Sequence, residues 1–338
     1  GLQIKEIVKE GAVSGTFLVL ESQWRVARNG SPYAALRIGD RSGEISLKVW
    51  EITEEIFRDL AKGKVLKLRA TAKNFNGVLQ LEASGKEDFF QVCREGEFDP
   101  ACFLPATTVK LEELWAVIDR VRAALKTKPY QQLIEYFFGD PEFRGKFMRT
   151  PGALKIHHAY LGGLLEHTAG VVTLCRAAAD YYPGVNRDLL LTGALLHDVG
   201  KVDSYASLPV IEGTDQGRLI GHLVLGVQMV SEAIRAIRRE HGEEAFPVAA
   251  EVPLLHLLIS HHGKMEWGSP LEPVLLEACL LHQADNMDAE AAKFREAIQK
   301  HPSGAGNWTA YSTVLKRAVY LTDLEEPESD ARAVGSSE

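Results

Sequence analysis

The run Tyr33-Ala34-Ala35-Leu36-Arg37-Ile38-Gly39-Asp40-Arg41-Ser42-Gly43-Glu44-Ile45-Ser46-Leu47-Lys48-Val49-Trp50 decides how the first part of this 338-residue chain folds. Apolar and polar side chains alternate on both sides of Asp40-Arg41-Ser42-Gly43, and a period of two interrupted by turn residues reads as a β-hairpin. Working outward, residues 15–21, 65–73 and 78–83 alternate in the same way, while Arg28-Asn29-Gly30-Ser31-Pro32 and Asn74-Phe75-Asn76-Gly77 supply the turns between strands. Residues 51–60 have helical spacing and stop at Gly63. Five strands with a helix between the third and fourth is the element order of an OB-fold-like β-barrel. Such barrels hold single-stranded nucleic acid by stacking bases on aromatic rings and tracking the backbone with cations. Tyr33, Trp50 and Phe75, with Arg37, Lys48 and Lys73, are the candidates here. The alternative for each ring is a place in the barrel core, least expected for Phe75, which falls in a turn.

A polar connector over about 85–108, carrying Pro100 and Pro105, follows, and beyond it the apolar residues recur at helical spacing. Helices are expected over 111–125, 130–138, 158–181, 187–197, 221–240, 253–262, 273–291 and 309–321. The expected architecture is multi-domain α+β. A five-stranded OB-fold-like barrel occupies 1–90, a linker 91–108, an all-α helical bundle 109–322 and a disordered acidic tail 323–338.

Composition limits what the chain can do. At 46% hydrophobic residues it can fill more than one small core. No run of about eighteen apolar residues occurs and the first residues lack a basic-then-apolar leader, so a soluble, cytoplasmic protein without membrane association is expected. The four cysteines form no CxxC pair, which argues against a zinc ribbon or a disulfide framework and fits a reducing compartment. The net charge is −8, yet residues 1–91 hold 14 Lys and Arg against 12 Asp and Glu. Phosphate binding rests on Lys and Arg, so any strand-holding surface must be local.

The chemistry-bearing pattern lies in the helical part: His167, then His197-Asp198, then His222, then His261-His262, then Asp285. Each sits on or at the end of an expected helix. Imidazole and carboxylate together suit Mn, Fe, Co, Ni or Zn, and an adjacent His-Asp pair lets the carboxylate bridge two ions while the imidazole ligates one. A single histidine of this kind is usually a packed core or surface residue. An ordered H, HD, H, HH, D series over five helices, with Lys201 three residues past Asp198, is a pattern that chance rarely produces.

Residues 157–290 resemble an HD-domain phosphohydrolase, and the chain from about 5 to 320 resembles the YhaM-type 3′-to-5′ exoribonuclease family. The resemblance is carried by His157-His158-Ala159-Tyr160-Leu161-Gly162-Gly163-Leu164-Leu165-Glu166-His167-Thr168 and by His197-Asp198-Val199-Gly200-Lys201. It continues in Ser260-His261-His262-Gly263, Glu266-Trp267-Gly268-Ser269-Pro270, Glu277-Ala278 and Asp285-Asn286-Met287-Asp288-Ala289. It implies that the helical bundle is an HD domain in a cytoplasmic enzyme dependent on divalent metal, usually manganese. The implied substrate is single-stranded RNA, and sometimes single-stranded DNA, cut from the 3′ end to 5′-mononucleotides. Carried over position by position, one ion would take His167, His197, Asp198 and Asp285, and a second Asp198, His222, His261 and His262. A mononuclear site would leave His222 spare. Cyclic-dinucleotide phosphodiesterases of the HD class carry a Gly-Tyr-Pro element after the paired histidines, where this chain has Glu266-Trp267-Gly268-Ser269-Pro270.

Two ions about 3.5–4 Å apart can make hydroxide from a shared water near neutral pH. Asp198 is the expected bridge, and Lys201 is placed to stabilise charge building on the phosphoryl group. His157 and His158 fall too far before His167 on a helix to share its ion, so a substrate-phosphate or packing role is expected. His282, three residues before Asp285, could orient that carboxylate or simply pack. His241, His256 and His301 belong to no pattern. The competing enzyme is an HD-type nucleotide or cyclic-dinucleotide phosphohydrolase with a regulatory OB domain; a third reading is a nucleic-acid-binding protein with a spent site. Oligomeric state and the identity of the metal are not encoded in these motifs.

Overall fold

The structure, a computed structural model, describes residues 2–75, 77–94, 96–99, 102–104, 106–154, 158–206, 211–302 and 306–322. The expectations for Asn76, for His157 and for the tail at 323–338 fall outside them.

The alternating runs form β1 (Gly11–Val26), β2 (Pro32–Asp40), β3 (Gly43–Trp50), β4 (Val65–Phe75) and β5 (Val78–Ser84), with α1 (Glu54–Asp59) between β3 and β4. β1 serves two neighbours: Gly11 to Leu18 pair with β4, Leu18 to Val26 pair with β2, and an irregularity between Val19 and Glu21 bends the strand. The order β1-β2-β3-β5-β4, with β4 returning to β1, closes a five-stranded barrel in which only β3 and β5 run parallel. Closure removes the sheet edges that would otherwise invite pairing with other chains. Phe17, Ile38, Leu47, Leu66, Leu68 and Leu81 fill its interior, every second residue of their strands. α1 starts at Thr53, whose hydroxyl accepts a hydrogen bond from Ile56 N at 3.3 Å.

The connector is less slack than its polarity suggests. It contributes β6 (Phe90–Val92), which adds to β4, and Cys93, Phe103 and Leu104 join Leu18, Val65 and Leu161 in a small core. A strand of three residues is too short to show a period, which is why alternation alone does not find it.

Beyond it come α2 (Leu111–Ala124), α3 (Lys128–Phe138), α4 (Pro141–Arg149), α5 (Gly163–Tyr181), α6 (Arg187–Leu196), α7 (Lys201–Ser204), α8 (Asp215–Leu219), α9 (His222–His241), α10 (Val248–Ser260) and α11 (Leu276–Gln299). α6 is the axis of this bundle. Its residues from Asp188 to Leu196 are all buried, and α3, α5, α10 and α11 pack around it; a helix apolar all round belongs inside. Its start is pinned by Asn186, whose side chain accepts from Leu189 N, and by Asp188, which accepts from Lys126 N and Thr127 N at 2.8 and 2.6 Å.

Three expectations are corrected. Residues 309–321 are not a helix: Trp308 bridges to Tyr320 and Ser312 to Arg317, and the Trp308 and Tyr320 rings meet at 5.1 Å. The β-branched and aromatic residues Thr309, Tyr311, Thr313, Val314 and Val319 suit that extended pairing better than a helix. The helix expected from 158 begins at Gly163, and the region is not wholly α because β7 (Tyr205–Ala206) and β8 (Glu212–Gly213) pair. α4 was not anticipated; Asp140 caps it and Pro141 opens it.

The turn after α6 is held against the start of α9 at Gly200. A Cβ there would lie 2.1 Å from the carbonyl oxygen of His222 and 2.4 Å from Gly226 N, both backbone atoms that no rotamer change can move. Gly200→Ala is therefore expected to destabilise the bundle by about 3 kcal/mol or more and to lower Tm by roughly 5 °C or more. A thermal melt matching the parent protein would contradict this packing.

Candidate metal centre

Six elements bring the expected residues to one place. His167 lies in the second turn of α5, His197 ends α6, Asp198 follows in the turn to α7, and Lys201 opens α7. His222 opens α9, His261 ends α10 with His262 beside it, and Asp285 lies on α11.

Hydrogen bonds at the far side of each ring settle which nitrogen faces inward. His197 Nδ1 donates to Ala194 O at 2.9 Å, His261 Nδ1 to Leu258 O at 2.8 Å and His262 Nδ1 to Trp267 O at 3.0 Å. His167 Nδ1 donates to the Asp288 carboxylate at 2.7 Å. Carbonyl and carboxylate oxygens only accept, so these Nδ1 atoms carry protons and Nε2 is the atom that each ring turns inward. The Nε2 atoms then converge. His167 and His197 Nε2 are 3.2 Å apart, as are those of His222 and His262. Lone pairs aimed at one another this closely repel unless a proton or a cation lies among them.

Asp198 stands between the two pairs with its side chain 3% exposed. Its Oδ2 is 3.4 Å from His167 Nε2 and 3.3 Å from His197 Nε2, and its Oδ1 is 3.4 Å from His222 Nε2 and 3.6 Å from His261 Nε2. Lys201 Nζ approaches Oδ2 at 2.6 Å. Oδ1 is buried and accepts no hydrogen bond, an arrangement that native proteins avoid unless an ion or water completes it. The groups His167-His197-Asp285 and His222-His261-His262 each bring three ligand atoms within 4.8 Å, and His197-Asp198-His261 joins them. The donor set fits a first-row divalent cation on either side.

The electrostatics differ between the two sides. Burial acts to lower the His167 pKa, but hydrogen bonds to Asp285 and Asp288 and the charges of Asp285 and Asp198 overcome it and raise the ring to about 10. Burial keeps His222 neutral, lowering it to about 3, and lowers His262 as well. For Asp198, burial works against ionisation, yet the charge of Lys201 and the His197 ring hold the carboxyl well below its ordinary value. Burial would likewise discharge Lys201, and Asp198 reverses that, raising its pKa. A cation on the Asp285 side would therefore have to displace the His167 proton, whereas the His222 ring is already neutral.

The cluster lines a cavity of about 260 Å³ whose wall also includes His158, Tyr205, Trp267, His282 and Asn286. His158 is buried in the loop before α5 at φ 58°, and its Nε2 meets Asp288 Oδ2 at 3.1 Å. It thus steadies Asp288 rather than continuing the helix. His282 Nδ1 donates to His261 O at 2.8 Å, so its bond supports a neighbouring histidine and not Asp285. Asp288 is the residue that sequence reasoning quoted without giving it a role; its place three residues after Asp285 puts both carboxylates on one face of α11. His256 accepts from Val274 N and lies apart from the cluster.

The barrel candidates form a second surface. Tyr33 faces Trp50 across β2 and β3 with rings 4.9 Å apart, and Lys48 Nζ stands 5.1 Å from the centre of the exposed Phe75 ring. Register and alternation put Tyr33, Arg37, Lys48, Trp50, Lys73 and Phe75 on the outer face of β2-β3-β5-β4. Arg37 is engaged by Glu21 and Glu44, and Lys73 by Glu82.

A bundle that gathers four imidazole Nε2 atoms around one aspartate, with a second carboxylate, Asp285, beside them, defines an HD-domain protein, and the HD domain family matches residues 164–290. The chain is 31% identical over 290 residues to the 3′-5′ exoribonuclease YhaM of Geobacillus sp. (strain WCH70), covering 85% of this chain and 86% of that protein. It is 29% identical to the YhaM of Bacillus subtilis (strain 168), over 90% and 92% of the two chains. With the YhaM of Listeria monocytogenes serotype 4b (strain CLIP80459) the identity is 32%, over 86% and 89%. The chain belongs to the YhaM family. Among the described residues, no helix is long and apolar enough to cross a membrane.

Partners that orient a ligating histidine tune its metal affinity. Asp288→Asn keeps the shape and removes the charge that holds His167, and is expected to weaken divalent-metal binding by about 10- to 100-fold with the fold intact. Unchanged affinity in a calorimetric titration would remove Asp288 from the site.

Proposed function

We propose that this chain is a manganese-dependent 3′-to-5′ exoribonuclease that releases 5′-mononucleotides from single-stranded RNA, and from single-stranded DNA where the end fits. The observation that carries the reading is the Asp198 carboxylate, each oxygen of which faces its own imidazole group. One ion is assigned to His167, His197, Asp198 and Asp285, the other to Asp198, His222, His261 and His262. Such a pair of ions supplies an acidified water and neutralises charge on the phosphoryl oxygens.

The remaining steps belong to side chains. Lys201, buried and held cationic by Asp198, lies at the cavity wall where charge builds as the phosphodiester is cut. Its ammonium exchanges Asp198 Oδ2 for a phosphoryl oxygen without leaving the pocket. His158 and Asp288 keep the His167 ring from turning. Residues 1–90 act as the strand-holding domain: Tyr33, Trp50 and Phe75 offer sequence-tolerant stacking, while Lys48, Arg37 and Lys73 follow the phosphates. Two of those cations must leave a surface carboxylate to do so, and surface pairs of this kind are weak. The segment 91–108 joins that domain to the HD bundle at 109–322, and the protein works in the cytoplasm.

The test is digestion of a 5′-labelled single-stranded RNA with manganese, with a cyclic dinucleotide in parallel. A ladder shortening from the 3′ end, absent in Asp198→Ala, is expected. Lys201→Ala should lower kcat by about 10²-fold with little change in KM. Intact RNA beside a hydrolysed cyclic dinucleotide would replace this reading with that of an HD-type nucleotide phosphohydrolase.

A further inference from the structure

The cavity wall carries an aromatic face that the metal ligands do not need. Trp267 lines it, yet its side chain is 49% exposed, a large apolar surface left in water at the mouth of a polar pocket. The other large aromatic ring of the wall, Tyr205, is half-buried.

The turn that presents the indole is rigid. Met265–Trp267 is a single 3-10 turn, closed by Lys264 O accepting from Trp267 N at 3.0 Å and from Ser269 N at 3.1 Å. Gly268 leaves the turn at φ 86°, a conformation that favours glycine. Ser269 is buried and its hydroxyl donates to Leu271 O at 2.6 Å. The carbonyl of Trp267 itself accepts the His262 Nδ1 proton at 3.0 Å, so the indole is tied by one residue's backbone to the metal cluster. Its ring lies 5.9 Å from that of His282, and Lys264 Nζ stands 4.7 Å from its centre.

We propose that Trp267 is the stacking platform for the base of the 3′-terminal nucleotide. The proposal rests on the exoribonuclease reading and assigns its terminal-base subsite. An indole has no hydrogen-bonding edge suited to one base over another, so it holds any nucleobase by its π face, as an enzyme removing successive nucleotides requires. The Lys264 ammonium, which also lies 3.9 Å from Glu266 Oε1, occupies an exposed ring face in a contact weaker than base stacking, and the arriving base displaces it. Because His262 and Trp267 share a hydrogen bond, the seated base lies at a fixed distance from the reacting centre.

The experiment uses the full chain with manganese and two RNA oligonucleotides of one sequence, the first ending in a normal 3′ nucleotide and the second in an abasic ribose. Shortening of the normal RNA by the parent protein reads the exonuclease activity itself, and the ratio between the two substrates reads the platform. The parent is expected to show a KM about 10-fold higher for the abasic end. Trp267→Ala should raise KM for the normal end by a similar factor, lose the distinction between the two ends, and keep its manganese content; Trp267→Phe should restore part of it. A Trp267→Ala protein that still prefers the base-bearing end would overturn the proposal. So would one whose loss of activity follows loss of manganese, since Trp267 would then be a prop for His262 alone.

Discussion

A carboxylate buried beside four imidazole nitrogens, with one of its oxygens accepting no hydrogen bond, is the constraint around which the helical region is built. An unpaired buried charge is among the most expensive features a fold can contain. Lys201 compensates one oxygen of Asp198, and the other faces rings whose lone pairs are equally uncompensated. A divalent cation held by this cluster would relieve these strains. The cluster is therefore an energetic debt in the protein alone and an affinity for metal in its presence, which is how a site couples loading to stability.

The fold serves this largely by placing helix ends at the centre, while His167 and Asp285 come from within α5 and α11. α6 is buried along its length and delivers His197 and Asp198 at its last turn; α10 delivers His261 and His262 in the same way, and α9 begins at His222. At a helix end the backbone carbonyls are unpartnered, and two of them, Ala194 O and Leu258 O, take the Nδ1 protons of His197 and His261. The same arrangement satisfies the backbone and orients the ligand atoms. Gly200 is part of it, because the turn carrying Asp198 reaches its place only where no Cβ intervenes.

Much of this was legible beforehand, for reasons that differ by element. The barrel strands announced themselves through alternation on one buried face, and the ring of β1, β2, β3, β5 and β4 has the expected helix between β3 and β4. The histidine and aspartate series could be read because few structural demands place His, His-Asp, His, His-His and Asp on or at the ends of successive helices, and the structure brings all seven residues together. What escaped was local or tertiary. β6 has three residues and no period. Residues 309–321 carry apolar spacing compatible with a helix, and ring pairing of Trp308 with Tyr320 decided for extended chain. Asp288 and Trp267 stand in the quoted motifs without a role until α11 turns the first towards His167 and the 3-10 turn exposes the second. His158 lies in a left-handed loop conformation that no sequence period predicts.

The bridging role of Asp198 is most directly tested by anomalous diffraction at the manganese edge from crystals grown with the ion. Two peaks about 3.5–4 Å apart, one against Oδ2 and the other against Oδ1, are predicted. A single peak at saturating manganese, beside His167 and Asp285 with His222 and His262 bonded only to each other, would contradict the account.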